Sequence, residues 1–116
     1  MTEPVGKKFD GGKPRYDLVP LNGLKETSEV LGIGAAKYPA PWNWMYVENA
    51  QERYYAALLR HVFAWKSGEK VDPETGKNHL AHAMCNVMFL LERDMIGEGG
   101  WEEYKNFIMS AFESKQ

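Results

Sequence analysis

The sequence predicts an all-α fold, a compact bundle of about four helices with an extended N-terminal arm. Three observations carry this expectation. Apolar residues recur at helical rather than alternating spacing. Two segments, 53–65 and 79–91, are apolar on nearly every face. No alternating run is long enough to build a sheet. At 116 residues the chain suits one domain with a modest core. The expected division is a single all-α domain over 1–116, with an arm at 1–20, core helices in 21–94 and a C-terminal helix at 101–114.

In the arm, Gly6, Gly11, Gly12, Pro14 and Pro20 break any helical period and point to extended backbone. A first helix starts at Pro20 or Asn22, with Leu24, Val30, Leu31 and Ile33 as its buried stripe. It stops at Lys37-Tyr38-Pro39 and Pro41. Tyr38–Tyr46 reads as an aromatic loop. A second helix spans about Glu48 to Lys66 and ends at Ser67-Gly68. A third begins at Asn78, an acceptable N-cap, and reaches about Asp94. After the break at Gly97, Gly99 and Gly100, a last helix from Trp101 to about Glu113 is expected to bury Tyr104, Phe107, Ile108 and Phe112.

Helices two and three are apolar almost all round, so a homo-oligomer, dimer or tetramer, is expected to hide what one chain cannot. The net charge of −2 argues against a surface built to coat a nucleic-acid polymer or an anionic membrane. The single Cys85 excludes an internal disulfide and reads as core filler in a reducing compartment. No apolar stretch approaches the ~20 residues that span a bilayer. A soluble cytoplasmic protein is the expectation.

Polar groups stand out against this apolar background. Arg60, His61, His79, His82 and Asn86 sit inside the two apolar segments, and burying such groups without partners costs roughly 2–7 kcal/mol for each neutral one. They either satisfy one another or receive a metal or a phosphate. On a third helix His79 and His82 lie about 60° apart and Asn86 about 20° from His79, so the three share a face. The histidine pair suits zinc or manganese; equally, it suits a hydrogen-bonded network that orients other groups. The intervening loop carries Glu69, Asp72 and Glu74, oxygen donors of the kind Mg²⁺ or Mn²⁺ takes, or else simply solvated charges. Glu26 and Glu29 share one face of the first helix and are either further ligands or an exposed charged edge.

Arg60, among alanines and aromatics, is expected to aim at a partner rather than at water. Lys13, Arg15 and Lys37 lie in loops beside glycine or proline, suited to closing over phosphates or to ordinary surface roles. Tyr38, Asn43 and Trp44 could stack on and hydrogen-bond a nucleobase, or plug the edge of a core.

Several runs carry a resemblance that spans about residues 9–92 in order: Gly12-Lys13-Pro14-Arg15-Tyr16-Asp17-Leu18-Val19-Pro20, Gly34-Ala35-Ala36-Lys37-Tyr38, Asn43-Trp44, Ala57-Leu58-Leu59-Arg60-His61, Ala64-Trp65, Gly68-Glu69, Asp72-Pro73-Glu74-Thr75-Gly76, His79-Leu80-Ala81-His82-Ala83 and Asn86. The ordered set resembles the bacteriophage dATP/dGTP diphosphohydrolases, themselves similar to MazG-type all-α nucleoside triphosphate pyrophosphohydrolases. The resemblance implies host cytoplasm as the location. It also implies Mg²⁺- or Mn²⁺-dependent hydrolysis of a purine deoxynucleoside triphosphate to monophosphate and pyrophosphate. Glu26 and Glu29 match half of that group's paired acidic motif, and Glu69 and Asp72 have the spacing of the other half.

The expected roles follow. Glu69 and Asp72 serve as metal ligands or water-activating base, with Glu29, Glu26 and Glu74 behind them. His61, His79, His82 and Asn86 join the catalytic shell. Lys13, Arg15, Lys37 and Arg60 hold the triphosphate, and Tyr38, Asn43 and Trp44 the base. The alternative is a protein that binds and sequesters a nucleotide without cleaving it.

Overall fold

Four helices hold most of the chain: α1 (Leu21–Lys37), α2 (Ala50–Lys66), α3 (His79–Ile96) and α4 (Trp101–Glu113). Short 3₁₀ turns lie at Tyr16–Leu18, Asn43–Tyr46 and Glu98–Gly100. This computed structural model describes residues 3–38 and 41–113; Pro39 and residue 114 fall outside that range, and the side chain of Phe112 is likewise not described.

The helix ends follow local chemistry. Pro20, with its fixed φ, precedes α1 and accepts from the Leu24 N–H at 2.9 Å. α2 closes on a double turn in which Gly68 N–H donates to Trp65 O (3.1 Å) and Glu69 N–H to Ala64 O (3.0 Å). Gly68 makes this turn at φ +112°, a backbone that side-chain-bearing residues rarely adopt. At the start of α3, Asn78 Oδ1 accepts from the Leu80 N–H at 2.8 Å, the N-cap that the sequence suggested.

α3 is the central element, with α2 packed along it and α1 against another flank. Val30 of α1 meets Ala81 and Cys85 of α3, with Leu31 and Phe89 alongside. Farther along, Trp44 stacks on Phe89 with ring centres 4.7 Å apart and leans on Trp101 at 5.8 Å. Trp101 Nε1 donates to the carbonyl of Met45, which is fully buried. Burial pushes the Cys85 thiol up to about 11, which keeps it an inert core group.

The all-α expectation holds, and among the described residues the one β pairing is an isolated bridge between Val71 and Asn78. The extended arm lengthens the molecule. The chain measures 62 × 39 × 28 Å with a radius of gyration of 18.3 Å, against about 13 Å for a compact domain of this length. Too little surface is covered: no described residue of α2 is fully buried, and of the stripe assigned to α1, Leu24 and Ile33 are exposed. On α4, Tyr104 and Ile108 are half-buried but Phe107 is 69% exposed, because that helix meets the rest mainly through Trp101. No helix among the described residues is long and apolar enough to cross a membrane.

Candidate functional site

The site forms where the end of α2, the following loop and the start of α3 meet. Residues 70–79 fold back as a tight hairpin: His79 N–H donates to Lys70 O (2.9 Å), Asp72 N–H to Lys77 O and Gly76 N–H to Asp72 O (both 2.8 Å). Gly76, at φ +73°, supplies the left-handed residue this turn requires. The hairpin fixes Asp72. Its Oδ1 accepts from the Glu74 N–H at 2.7 Å, and its Oδ2 faces two rings, 3.9 Å from His61 Nδ1 and 3.8 Å from His82 Nε2.

His61 arrives from α2 and His82 from α3. Their rings lie nearly parallel, 8° apart with centres at 4.5 Å. One donor atom from each of His61, Asp72 and His82 lies within 4.8 Å of the others. An ion with bonds of about 2.0–2.2 Å spans roughly 4 Å between opposite ligands, so small side-chain movements would close the set around one ion.

Protonation states match. Burial, then the neighbouring His82 and His79, hold the His61 pKa below the usual imidazole value, against the opposing pull of Asp72. Burial likewise lowers His82, and Asp72 does not offset it. Burial alone would raise Asp72, but the Glu74 amide, His82, the Thr75 amide and His61 together hold its carboxyl below the ordinary range. At neutral pH the cluster therefore presents two neutral imidazoles and a carboxylate, the forms that ligate metal.

A second chain of bonds orients it. Glu69 Oε1 lies 2.7 Å from His79 Nε2, and His79 Nδ1 lies 2.9 Å from His61 Nδ1. A carboxylate only accepts, so His79 presents its Nε2–H to Glu69. The two Nδ1 atoms share one hydrogen bond, which couples the His61 ring to His79 and so to Glu69. Asn86 donates to the His82 carbonyl at 2.9 Å, one turn along α3. Thr75, to which the sequence analysis gave no role, places Oγ1 2.7 Å from His82 Nε2 and accepts from the Lys77 N–H at 3.3 Å. Its position three residues after Asp72, in a turn-forming run, was the available signal.

The five carboxylates expected around the metal do not gather. Asp72 alone joins the cluster. Glu69 binds His79 at its edge and is 54% exposed on its side chain. Glu26 Oε2 accepts from the Asn78 N–H at 3.0 Å, tying α1 to the N-cap of α3. Glu29 is neutralised by Lys77 (2.8 Å) and Lys25 (3.0 Å). Glu74 is exposed, with Lys37 Nζ 3.6 Å away. Helix spacing placed Glu26 and Glu29 on one face correctly, but that face meets the loop's backbone and lysines.

The substrate residues divide as well. Lys37 reaches the site loop through Glu74, and its Nζ sits 5.6 Å from the ring centre of the exposed Tyr38. Arg60, beside His61 on α2, is exposed. Arg15 forms a double ion pair with Asp17 at 2.7 Å, and Lys13 lies exposed in the arm. Trp44 takes the core role: it stacks on Phe89, seven residues beyond His82, and Tyr54 donates to its carbonyl at 3.1 Å. Asn43, half-buried, opens the same 3₁₀ turn.

Fold and cluster together define an all-α protein with a two-histidine, one-carboxylate cluster at a helix–loop–helix junction. The chain belongs to the family described as dATP/dGTP diphosphohydrolase, N-terminal, which matches residues 3–103. It is 37% identical over 87 residues to the dATP/dGTP diphosphohydrolase of Salmonella phage PMBT28, a match covering 74% of this chain and 29% of that protein. The chain thus spans less than a third of the length of that relative. No solved structure matches it.

Proposed function

We propose that this chain carries out, or forms the nucleotide-handling part of an enzyme that carries out, divalent-metal-dependent hydrolysis of dATP or dGTP to the monophosphate and pyrophosphate. The relative's name supports the reaction class. The observation that carries the reading to this chain is the convergence of His61, Asp72 and His82 from two helices and a loop.

The donor chemistry discriminates between metals. Mg²⁺ takes oxygen ligands and keeps its waters, and a set with two imidazoles does not fit it. Manganese, or another first-row ion that accepts imidazole, fits. Such an ion supplies Lewis-acid stabilisation of phosphate oxygens and lowers the pKa of a bound water. The residues do the rest by position. Asp72, His61 and His82 would hold the ion, while Glu69 and His79 orient the His61 ring. Lys37 and Arg60, both exposed beside the site, hold the triphosphate, and Tyr38 offers a stacking face for the purine. Phosphoryl chemistry asks little covalent work of the protein, so positioning and charge stabilisation carry it.

That one carboxylate rather than five joins the cluster favours a second reading, binding without turnover. One experiment separates the two. The chain, stripped of metal, is supplied with Mn²⁺ and each of the eight common nucleoside triphosphates, and pyrophosphate release and ligand retention are followed. Release from dATP or dGTP is the expected result. Tight retention of intact nucleotide establishes the sequestering reading instead, and neither binding nor release overturns both.

A further inference from the structure

The loop that supplies Asp72 brings a second oxygen to the cluster. Thr75 lies three residues on, in a stretch where Pro73, Glu74 and Gly76 are exposed, yet Thr75 is half-buried with its hydroxyl turned to α3. Its Oγ1 stands 2.7 Å from His82 Nε2, the ring atom that also faces Asp72 Oδ2 at 3.8 Å. One turn of backbone holds both loop residues. Gly76 N–H donates to the Asp72 carbonyl, Glu74 N–H to Asp72 Oδ1, and Lys77 N–H to Thr75 Oγ1 at 3.3 Å. Threonine, branched at Cβ, offers its hydroxyl few orientations, so the place of Oγ1 is set before any ion arrives.

A hydroxyl here can tie the loop to His82 and do nothing more, or it can share an ion with that ring. The chemistry favours sharing. A hydroxyl oxygen carries two lone pairs and one proton. Lys77 N–H engages one lone pair, which leaves the other for a cation and the proton for a phosphate oxygen. Two donors at right angles on one ion with bonds of about 2.1 Å stand about 3 Å apart, close to the 2.7 Å between Oγ1 and Nε2. The hydrogen bond between them also lies on the nitrogen that an ion would take. Ligation at His82 Nε2 therefore breaks it, and the freed hydroxyl oxygen stands within reach of the ion.

Resting on the metal-dependent reading above, we infer that Thr75 is a fourth protein ligand, so that His61, Asp72, Thr75 and His82 form a two-nitrogen, two-oxygen set. A hard hydroxyl oxygen beside imidazole and carboxylate suits manganese. Four protein donors close the shell of a tetrahedral ion and leave a six-coordinate one open to substrate.

The test is Mn²⁺ binding by the full chain, followed by isothermal titration for the wild type, Thr75→Val and Thr75→Ser. Valine keeps the shape and the backbone amide but has no oxygen, and it should weaken binding at least ~10-fold. Serine keeps the oxygen and should bind nearly as the wild type does. A role confined to tying the loop would lower the thermal midpoint of the metal-free valine variant and leave its affinity unchanged, which overturns the proposal. Serine failing as badly as valine also overturns it, since the oxygen would then not be the cause.

A second measurement does not depend on affinity. Thr75→Cys puts a soft thiolate where the hydroxyl stood, and Cd²⁺ should then give an ultraviolet thiolate-to-metal charge-transfer band that saturates at one ion per chain. The wild type should give none, because Cys85 is buried and its thiol is pushed up to about 11. No band from a folded Thr75→Cys chain overturns the proposal. A wild type that takes up no Mn²⁺ overturns this proposal and the metal-dependent reading together; uptake indifferent to Thr75 overturns this one alone.

Discussion

Glu69 reaches the cluster only through a ring. Its carboxylate bonds His79, and His79 bonds His61. Groups that orient a metal ligand typically contribute 10–100-fold to affinity or activity. Glu69→Gln should therefore lower the rate of nucleotide cleavage by about that factor without abolishing it, with the thermal midpoint little changed because the side chain is half exposed. Steady-state rates beside a melting curve check this; complete loss of activity in a folded protein would restore Glu69 as a direct ligand. Asp72 is different in kind. Its two oxygens serve different masters, one the loop backbone and one the histidine pair. Residue identity was readable at this scale, since all three histidines and Asp72 stood out as polar groups in or between apolar helices. Their grouping was not. His61 and His82 come from different helices, and only packing sets them ring on ring. The sequence likewise could not tell that Trp44 had an aromatic partner waiting at Phe89.

Among the elements, α1 meets the site through ion pairs as well as through its small apolar contact. Glu29 bonds Lys77 and Lys25, which hold its carboxyl below the ordinary range, while Glu29 holds the Lys77 ammonium above its own. For a carboxyl with a depressed folded pKa, the stabilisation is fully present above the unfolded value and lost as pH falls through the folded one. For the raised lysine it is present below the unfolded value and lost only as pH rises through the folded one. Both conditions are met around neutrality. Glu29→Gln should thus lower the thermal midpoint at pH 7, and this difference from wild type should shrink in acid as the pH falls through the lowered folded pKa of Glu29. An equal difference in acid and at pH 7 would assign the effect to packing.

Helix ends were the most legible part of the fold, because Pro20, Gly68, Asn78 and Gly97 signal their positions through backbone preferences alone. Which faces would be covered was less legible. Apolar periodicity marks a face as fit for burial, but it does not say by what. Leu24 and Phe107 were expected in the core of one chain and stand exposed in it.

For the whole molecule, exposed apolar side chains along α3 stand on the same helix as a preassembled, largely covered His61–Asp72–His82 cluster. The central claim is that the cluster binds a transition ion. Isothermal titration of metal-free protein with Mn²⁺ near neutral pH, repeated with Asp72→Asn and monitored in parallel by electron paramagnetic resonance, tests it most directly. The account predicts one ion bound per chain, histidine nitrogen coupling in the spectrum, and affinity weakened at least ~10-fold in the variant. An absence of binding by the wild type, or unchanged affinity once Asp72 is replaced, would contradict it.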